Sequence, residues 1–306
     1  MLDNAINLQR RFRYNELILE AIKEQIIVNN CVIEKIRKSF NHNISRTQFS
    51  NLLKRIYSDP IYNKGSKIAL DSFKNLYINV DDTYIKFKVG NNKTKKRRLR
   101  LFFFHQGKNE NNELINGKYI VILKNHDSLN PVQRAIDNKN ETLRLIDKFY
   151  TNQAKSLILC SDGAKEFKYL AKALNAKQIL DKYHLIHQNL HKAINPTKIL
   201  YDNVDKSVRK DAYDDIKQCS EKTPELLITT IEKYRQEFLD TNTNSVIAKA
   251  LSKFKRYVIN NLEGIINWQS EDYIYPITEQ YIFHKIKSVL GNKNKCYSLK
   301  TFMTFI

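Results

Sequence analysis

Residues 75–89 read NLYINVDDTYIKFKV, and how this run is paired decides the fold class. Apolar, β-branched and aromatic residues alternate with polar ones over its length, the pattern of a pleated strand. Two runs of the same kind follow, LRLFFFHQG at 99–107 and KYIVILKN at 118–125. The polar stretches between them, around 90–97 and 107–117, are short enough for antiparallel hairpins. Next the pattern predicts a helix from about Pro131 to Tyr150, a short apolar strand SLILC ending at Cys160, a helix from Ala164 to Leu174, and a strand KQIL ending before Asp181. The order is three meandering strands, helix, strand, helix, strand.

Upstream of this core the period is helical. Leu17, Ile18, Ala21, Ile22 and Ile26, then Val32, Ile33 and Ile36, recur at three-to-four spacing. After the turn at 41–43, Ser45 to Gln48 has the form of a capping box, and Phe49, Leu52, Leu53 and Ile56 supply an apolar face. Two helices about a short turn read either as a helix-turn-helix, with Arg46 and Gln48 placed for base or phosphate contacts, or as a plain helical hairpin. Downstream, Lys182 to about Ser270 is helical throughout, and another amphipathic helix opens after Pro276. The expected organisation is a helical N-terminal region at 1–72, an α/β core at 73–182, an all-α insertion at 183–275 and a closing helix at 276–306.

The chain's 306 residues exceed a usual single hydrophobic core, which agrees with that division. Lys and Arg outnumber Asp and Glu by 52 to 32, a net charge of +20, and this implies a polyanionic partner. No stretch approaches the roughly 18 apolar residues of a membrane span, and the N-terminus lacks a signal peptide's apolar core, so nucleic acid is favoured over a membrane surface and a cytoplasmic, nucleoid-associated location is expected. The four cysteines are scattered without a C-x-x-C pair and read as reduced thiols. Lys95, Lys96, Arg97, Arg98 and Arg100 crowd into KTKKRRLR, which is either a nucleic-acid contact or a solvated hairpin tip.

The order of elements is that of a ribonuclease-H-like sheet, in which the first and fourth strands lie side by side. Acids on the first strand and just past the fourth would then converge. Asp81 and Asp82 are equal candidates for the first position: Leu76, Ile78 and Val80 share parity with Asp82, whereas Ile85, Phe87 and Val89 share it with Asp81. Asp162 follows the strand SLILC and precedes Gly163 and a helix, so it reads as a helix cap or as a ligand-facing acid at a strand end. Carboxylates from different elements suit magnesium or manganese, the oxygen-loving cations that drive phosphoryl transfer on DNA. His184, His187 and His191 have helical spacing, but no Cys or nearby carboxylate completes a zinc set.

From about Leu76 onward the chain resembles insertion-sequence transposases of the Lre type and the transposase-like proteins of mycoplasma integrative conjugative elements. The resemblance is carried by LYINVDD at 76–82, FHQG at 104–107, SDGA at 161–164, LDKYHL at 180–185, YVINNLEGI at 257–265 and ITEQYIFHKIKS at 277–288, in shared order and spacing. It implies a DDE-type, mutator-like DNA transposase with Asp81, Asp162 and Glu279 as catalytic metal ligands for Mg2+ or Mn2+. Asp181 to His184 resembles that family's acid-or-cysteine, two residues, histidine signature, which implies a role for His184 near the metals. DNA, as element ends and target, and a homo-oligomer assembled on it are the implied partners. Family members tend to carry more sequence ahead of the core, and Lys293 and Lys295 stand where arginines would be expected to contact DNA. The alternatives are a catalytically inactive DNA-binding relative and a structure-specific nuclease using the same metals.

Overall fold

The computed structural model describes residues 67–89, 93–124, 130–197 and 204–274, together with Thr47. Most of the expected N-terminal helical region and the closing helix after 276 lie outside the described residues.

Strands β1 (Ile68–Ala69), β2 (Leu76–Lys88), β3 (Thr94–His105) and β4 (Lys118–Lys124) are followed by helix α1 (Pro131–Phe149). Then come β5 (Tyr150–Thr151), β6 (Leu157–Ser161), α2 (Lys165–Ala173) and β7 (Lys177–Leu180). Among the described residues the main sheet has five strands, in the order β4-β3-β2-β6-β7. β2 runs antiparallel to β3 and β3 to β4, whereas β2 pairs β6 in parallel and β6 pairs β7 in parallel. The fold is therefore a mixed α/β fold. A small parallel pair, β1 with β5, tethers the chain ahead of β2 to the end of α1, and the periodicity of the sequence did not reveal it.

β2 sits centrally and is covered on both faces. Leu76, Ile78 and Val80 pack with Phe102, Phe104, Leu159 and the α2 residues Phe167 and Leu170. On the other face Tyr77 joins Ile158, Cys160 and Ile179 beneath Trp268, Tyr273 and Ile274. Burial on both sides explains why apolar residues stand at both parities of this strand.

The basic segment is not a hairpin tip. Thr94 to Arg97 belong to β3 and pair with Lys88 to Ile85, so the turn is shorter than expected. β6 reaches only Asn79 along β2, and β4 reaches only Arg98 along β3. Beyond those limits, among the described residues, β2 and β3 continue as a two-stranded ribbon.

After β7 a π-helical segment (His184–Leu190) runs into α3 (His191–Ile194). α4 (Lys206–Cys219), α5 (Pro224–Thr241), α6 (Val246–Asn260), α7 (Leu262–Ile266) and a 3-10 turn (Asn267–Gln269) complete the described chain. Three of these helices open on side-chain caps: Asp205 accepts from Ser207 N, Thr223 from Leu226 N and Ser245 from Ala248 N. Ile216, Leu227, Ile231, Phe238, Leu251, Phe254 and Val258 form their core, which is continuous with Leu180 at the end of β7. At Gly264 a Cβ would stand 2.9 Å from Leu180 N, so α7 can approach β7 this closely only with glycine there. The helical block thus packs onto the end of the sheet at which β6 and β7 finish. Among the described residues no helix is long and apolar enough to cross a membrane.

Candidate active site

Asp81 is buried on β2, facing away from the α1–α2 side. Asp162 follows β6, and Asp181 follows β7 and is almost fully buried. His184 opens the π-helical segment. These four side chains, from three separate parts of the chain with Asp181 and His184 only three residues apart, form one cluster. The Asp162 and Asp181 members lie past the carboxyl ends of parallel strands, where α/β sheets usually meet ligands.

In each of the three acids one oxygen is tied down by a backbone amide. Asp82 N donates to Asp81 Oδ1 at 2.7 Å, Ala164 N to Asp162 Oδ1 at 2.9 Å, and Tyr183 N to Asp181 Oδ1 at 2.8 Å. The second oxygens of Asp81 and Asp181 stand 3.6 Å and 3.9 Å from His184 Nε2. Those are ion-pair distances, beyond hydrogen-bond length, and Nε2 is buried without a hydrogen-bond partner among the described residues.

The charges act on one another. Burial opposes a charged His184, but Asp81, Asp181 and Asp162 outweigh it and raise its pKa to about 9. Burial raises Asp181 to about 6, with the His184 charge working against the rise. Asp162 is also raised, by burial first and by Asp81, while the Ala164 amide pulls the other way. The cluster holds more negative charge than its surroundings stabilise, so it favours added positive charge.

The geometry at Asp162 depends on Gly163, which has φ +77°. A Cβ there would meet Asn261 Oδ1 at 2.4 Å and Leu180 Cδ1 at 2.7 Å. Tyr257 OH donates to the Asp162 carbonyl at 2.6 Å, so α6 also holds this turn. Asp162 is not the cap residue of α2, because Ala164 occupies that position.

Asp82 faces the opposite side of the sheet. Arg100 donates to both its carboxylate oxygens, at 2.8 Å and 2.9 Å, and also to Glu166 at 2.7 Å and Asn138 at 2.9 Å. The guanidinium lies 4.8 Å over the Phe167 ring and is fully buried. Burial would raise Glu166, yet the Arg100 charge and hydrogen bonds hold it at about 2. Arg100 is therefore corrected from a DNA contact to the centre of an internal ion-pair network, because its side chain has no access to solvent. Arg98 is largely drawn into the same network, 3.2 Å from Glu166 and 3.6 Å from Asp82. Lys95 and Lys96 remain exposed on the ribbon, with Lys96 over the Tyr84 ring at 4.9 Å, and Arg97 is half-buried.

Arg46, Gln48, Glu279, Lys293 and Lys295 lie outside the described residues. Asp181 is the site residue that sequence reasoning left out, although it ends a strand and opens the segment DKYH that was singled out. His187 turns to Tyr183, 5.1 Å between rings, and His191 to Tyr213. Among the described residues no three His, Cys, Asp or Glu side chains are arranged to hold a metal ion. The hard carboxylate oxygens, each acid already anchored through one of them, have the donor chemistry of a magnesium or manganese site. No protein-family model and no curated protein matches the chain.

Proposed function

We propose that this chain is a metal-dependent DNA transposase of the DDE type, built on a ribonuclease-H-like core. One observation carries the reading: Asp81 from the central strand, Asp162 past its parallel neighbour and Asp181 past the next strand meet around His184. The sheet order supports it, since the first three long strands are antiparallel and the next two add in parallel beside the first. So does the net charge of +20, which suits a DNA partner.

In this reading Asp81, Asp162 and Glu279 are the metal ligands. Bound magnesium or manganese would supply Lewis acidity and a deprotonated attacking hydroxyl. The chain's own residues do the positioning. Backbone amides fix one oxygen of Asp81 and of Asp162, so that the other stays available; Gly163 and Tyr257 set the turn that carries Asp162. Asp181 holds His184 beside Asp81, where its imidazole can hold or release a proton. Lys95, Lys96 and Arg97 on the ribbon serve phosphate binding. The substrates are element ends and target DNA, with the protein acting as a homo-oligomer on them in the nucleoid.

A specific feature favours a second reading. His184 at a pKa of about 9 already supplies a positive charge between Asp81 and Asp181, as an inactive DNA-binding relative would retain. Incubating the protein with labelled duplex DNA from the flanks of its gene, plus Mn2+ and a target plasmid, separates the readings. Joined products support the transposase. Cutting without joining indicates a nuclease, and binding with neither indicates the inactive relative.

A further inference from the structure

Beside the acid cluster lies a cavity of about 460 Å3. One wall is α2, whose Lys165, Lys168, Tyr169 and Lys172 stand at steps of three, four and seven and share one face of the helix. The opposite face, Phe167, Leu170 and Ala171, is buried against the sheet, so the lysine stripe is not needed for packing. The second wall comes from the end of α6, where Tyr257 and Asn260 stand, and from Glu263 in α7. Gly163 closes the end nearest Asp162.

Among the described residues three lysines face a single carboxylate across this space. Among the described residues Lys165 and Lys172 make no ion pair, and Lys168 donates to the Asn260 carbonyl instead of to an acid. Burial lowers the Lys168 pKa, and the charges of Lys172 and Lys165 lower it further, with Glu263 alone opposing them. Such a concentration of like charge in a concave, partly desolvated site favours a multivalent anion. Tyr169 is half-exposed among the lysines and offers a ring for stacking. Tyr257 connects the two sites physically, since it lines the cavity and its hydroxyl holds the Asp162 carbonyl.

The geometry points to this cavity as the seat of a nucleic-acid strand, with Lys165, Lys168 and Lys172 on consecutive phosphates and Tyr169 against a base. The inference rests on the transposase reading for its direction: the strand leaves the acid cluster past Gly163 and continues along α2. It assigns nucleic-acid contacts to α2, a different element from the basic ribbon.

The test uses the full chain with a fluorescent oligonucleotide, in EDTA, across a salt series. Lys165 and Lys172 are free of bonds among the described residues, so K165Q/K172Q keeps the fold, as circular dichroism would check. With a single-stranded oligonucleotide the double variant should weaken binding at least fivefold and flatten the log-log salt slope by about 1.4, from roughly 0.7 for each lost single-strand phosphate contact. Tyr169→Ala should weaken single-stranded more than duplex binding. In the wild type, oligonucleotide should protect Lys165, Lys168 and Lys172 from acetylation read by mass spectrometry. An unmoved slope in the folded double variant, or no protection, overturns the inference. Equal protection by inorganic phosphate at the same concentration also overturns it, in favour of a small-anion site. Failure of the transposase reading looks different: α2-dependent binding persists, but Mn2+ yields neither cut nor joined DNA.

Discussion

Asp81 and Asp82 are adjacent and do unrelated work, because successive side chains of a strand point to opposite faces. Asp81 stands with His184 and Asp181, and Asp82 receives both arms of buried Arg100. Asp81→Asn should abolish metal-dependent cleavage, leave stability nearly unchanged by urea denaturation, and lower the His184 pKa from about 9 in an NMR titration. Asp82→Asn should instead destabilise the protein by about 2–3 kcal/mol, since it leaves Arg100 buried with only part of its compensating charge. Equal stability of the two variants would overturn this division. His105 provides a pH test away from the acids. Gly107 N donates to its Nδ1 at 3.1 Å, so the neutral ring carries its proton on Nε2, and the Asn79 amide 3.0 Å away must present its otherwise unpartnered oxygen. Burial pushes this imidazole down to about 4. Its folded pKa lies below the unfolded 6.5, so the unfolded state binds the proton first on acidification. The stabilisation is therefore complete above pH 6.5 and is lost as pH falls to about 4, by roughly 3 kcal/mol in all. Urea unfolding at pH 7.5 and 4.5 should show the loss, and His105→Gln should reduce it.

At the scale of elements, the β6–α2 turn and the β2–β3 ribbon are the informative pieces. Gly163 combines φ +77° with contacts that leave no room for a Cβ. Gly163→Ala should lower stability by about 1–3 kcal/mol and reduce cleavage more than a surface change of equal stability effect, because it shifts Asp162. A variant with normal melting and normal cleavage would show that the turn can relax. On the ribbon, reversing Lys95, Lys96 and Arg97 to Glu should flatten the salt dependence of DNA binding without altering the melting temperature. Arg100→Glu should unfold the protein, because it buries repelling carboxylates beside Asp82 and Glu166. The same residue type, three positions apart in one strand at Arg97 and Arg100, thus gives a surface effect or a core effect according to which neighbours cover it.

For the molecule as a whole, the helical block and the sheet share a core through Leu180, and the acid cluster lies where they join. A divalent ion bound there would stabilise the native state by mass action. Mg2+ or Mn2+ at about a hundred times its Kd should add roughly 2.7 kcal/mol, seen as a raised Tm. The rise should disappear in Asp81→Asn. No rise in the wild type would count against a metal centre and favour the inactive relative, with His184 serving as the cluster's permanent cation.

Much of the strand and helix order was legible because it is local: the alternation at 75–89, the apolar run before Cys160 and the short strand before Asp181 are each set by neighbours along the chain. Charge excess was legible for the same reason, since it needs only a count. The sequence by itself determined that a mixed α/β core precedes a helical block, and that Asp162 and His184 follow strand ends. Only the tertiary structure decided which of Asp81 and Asp82 faces the cluster, because both faces of the central strand are covered and parity then carries no information. It also took Arg98 and Arg100 from the basic surface, brought Asp81 to Asp181 and His184, and placed the lysines of α2 beside Asp162. Each of these depends on what a distant segment packs against, and no periodicity within a strand or helix contains that.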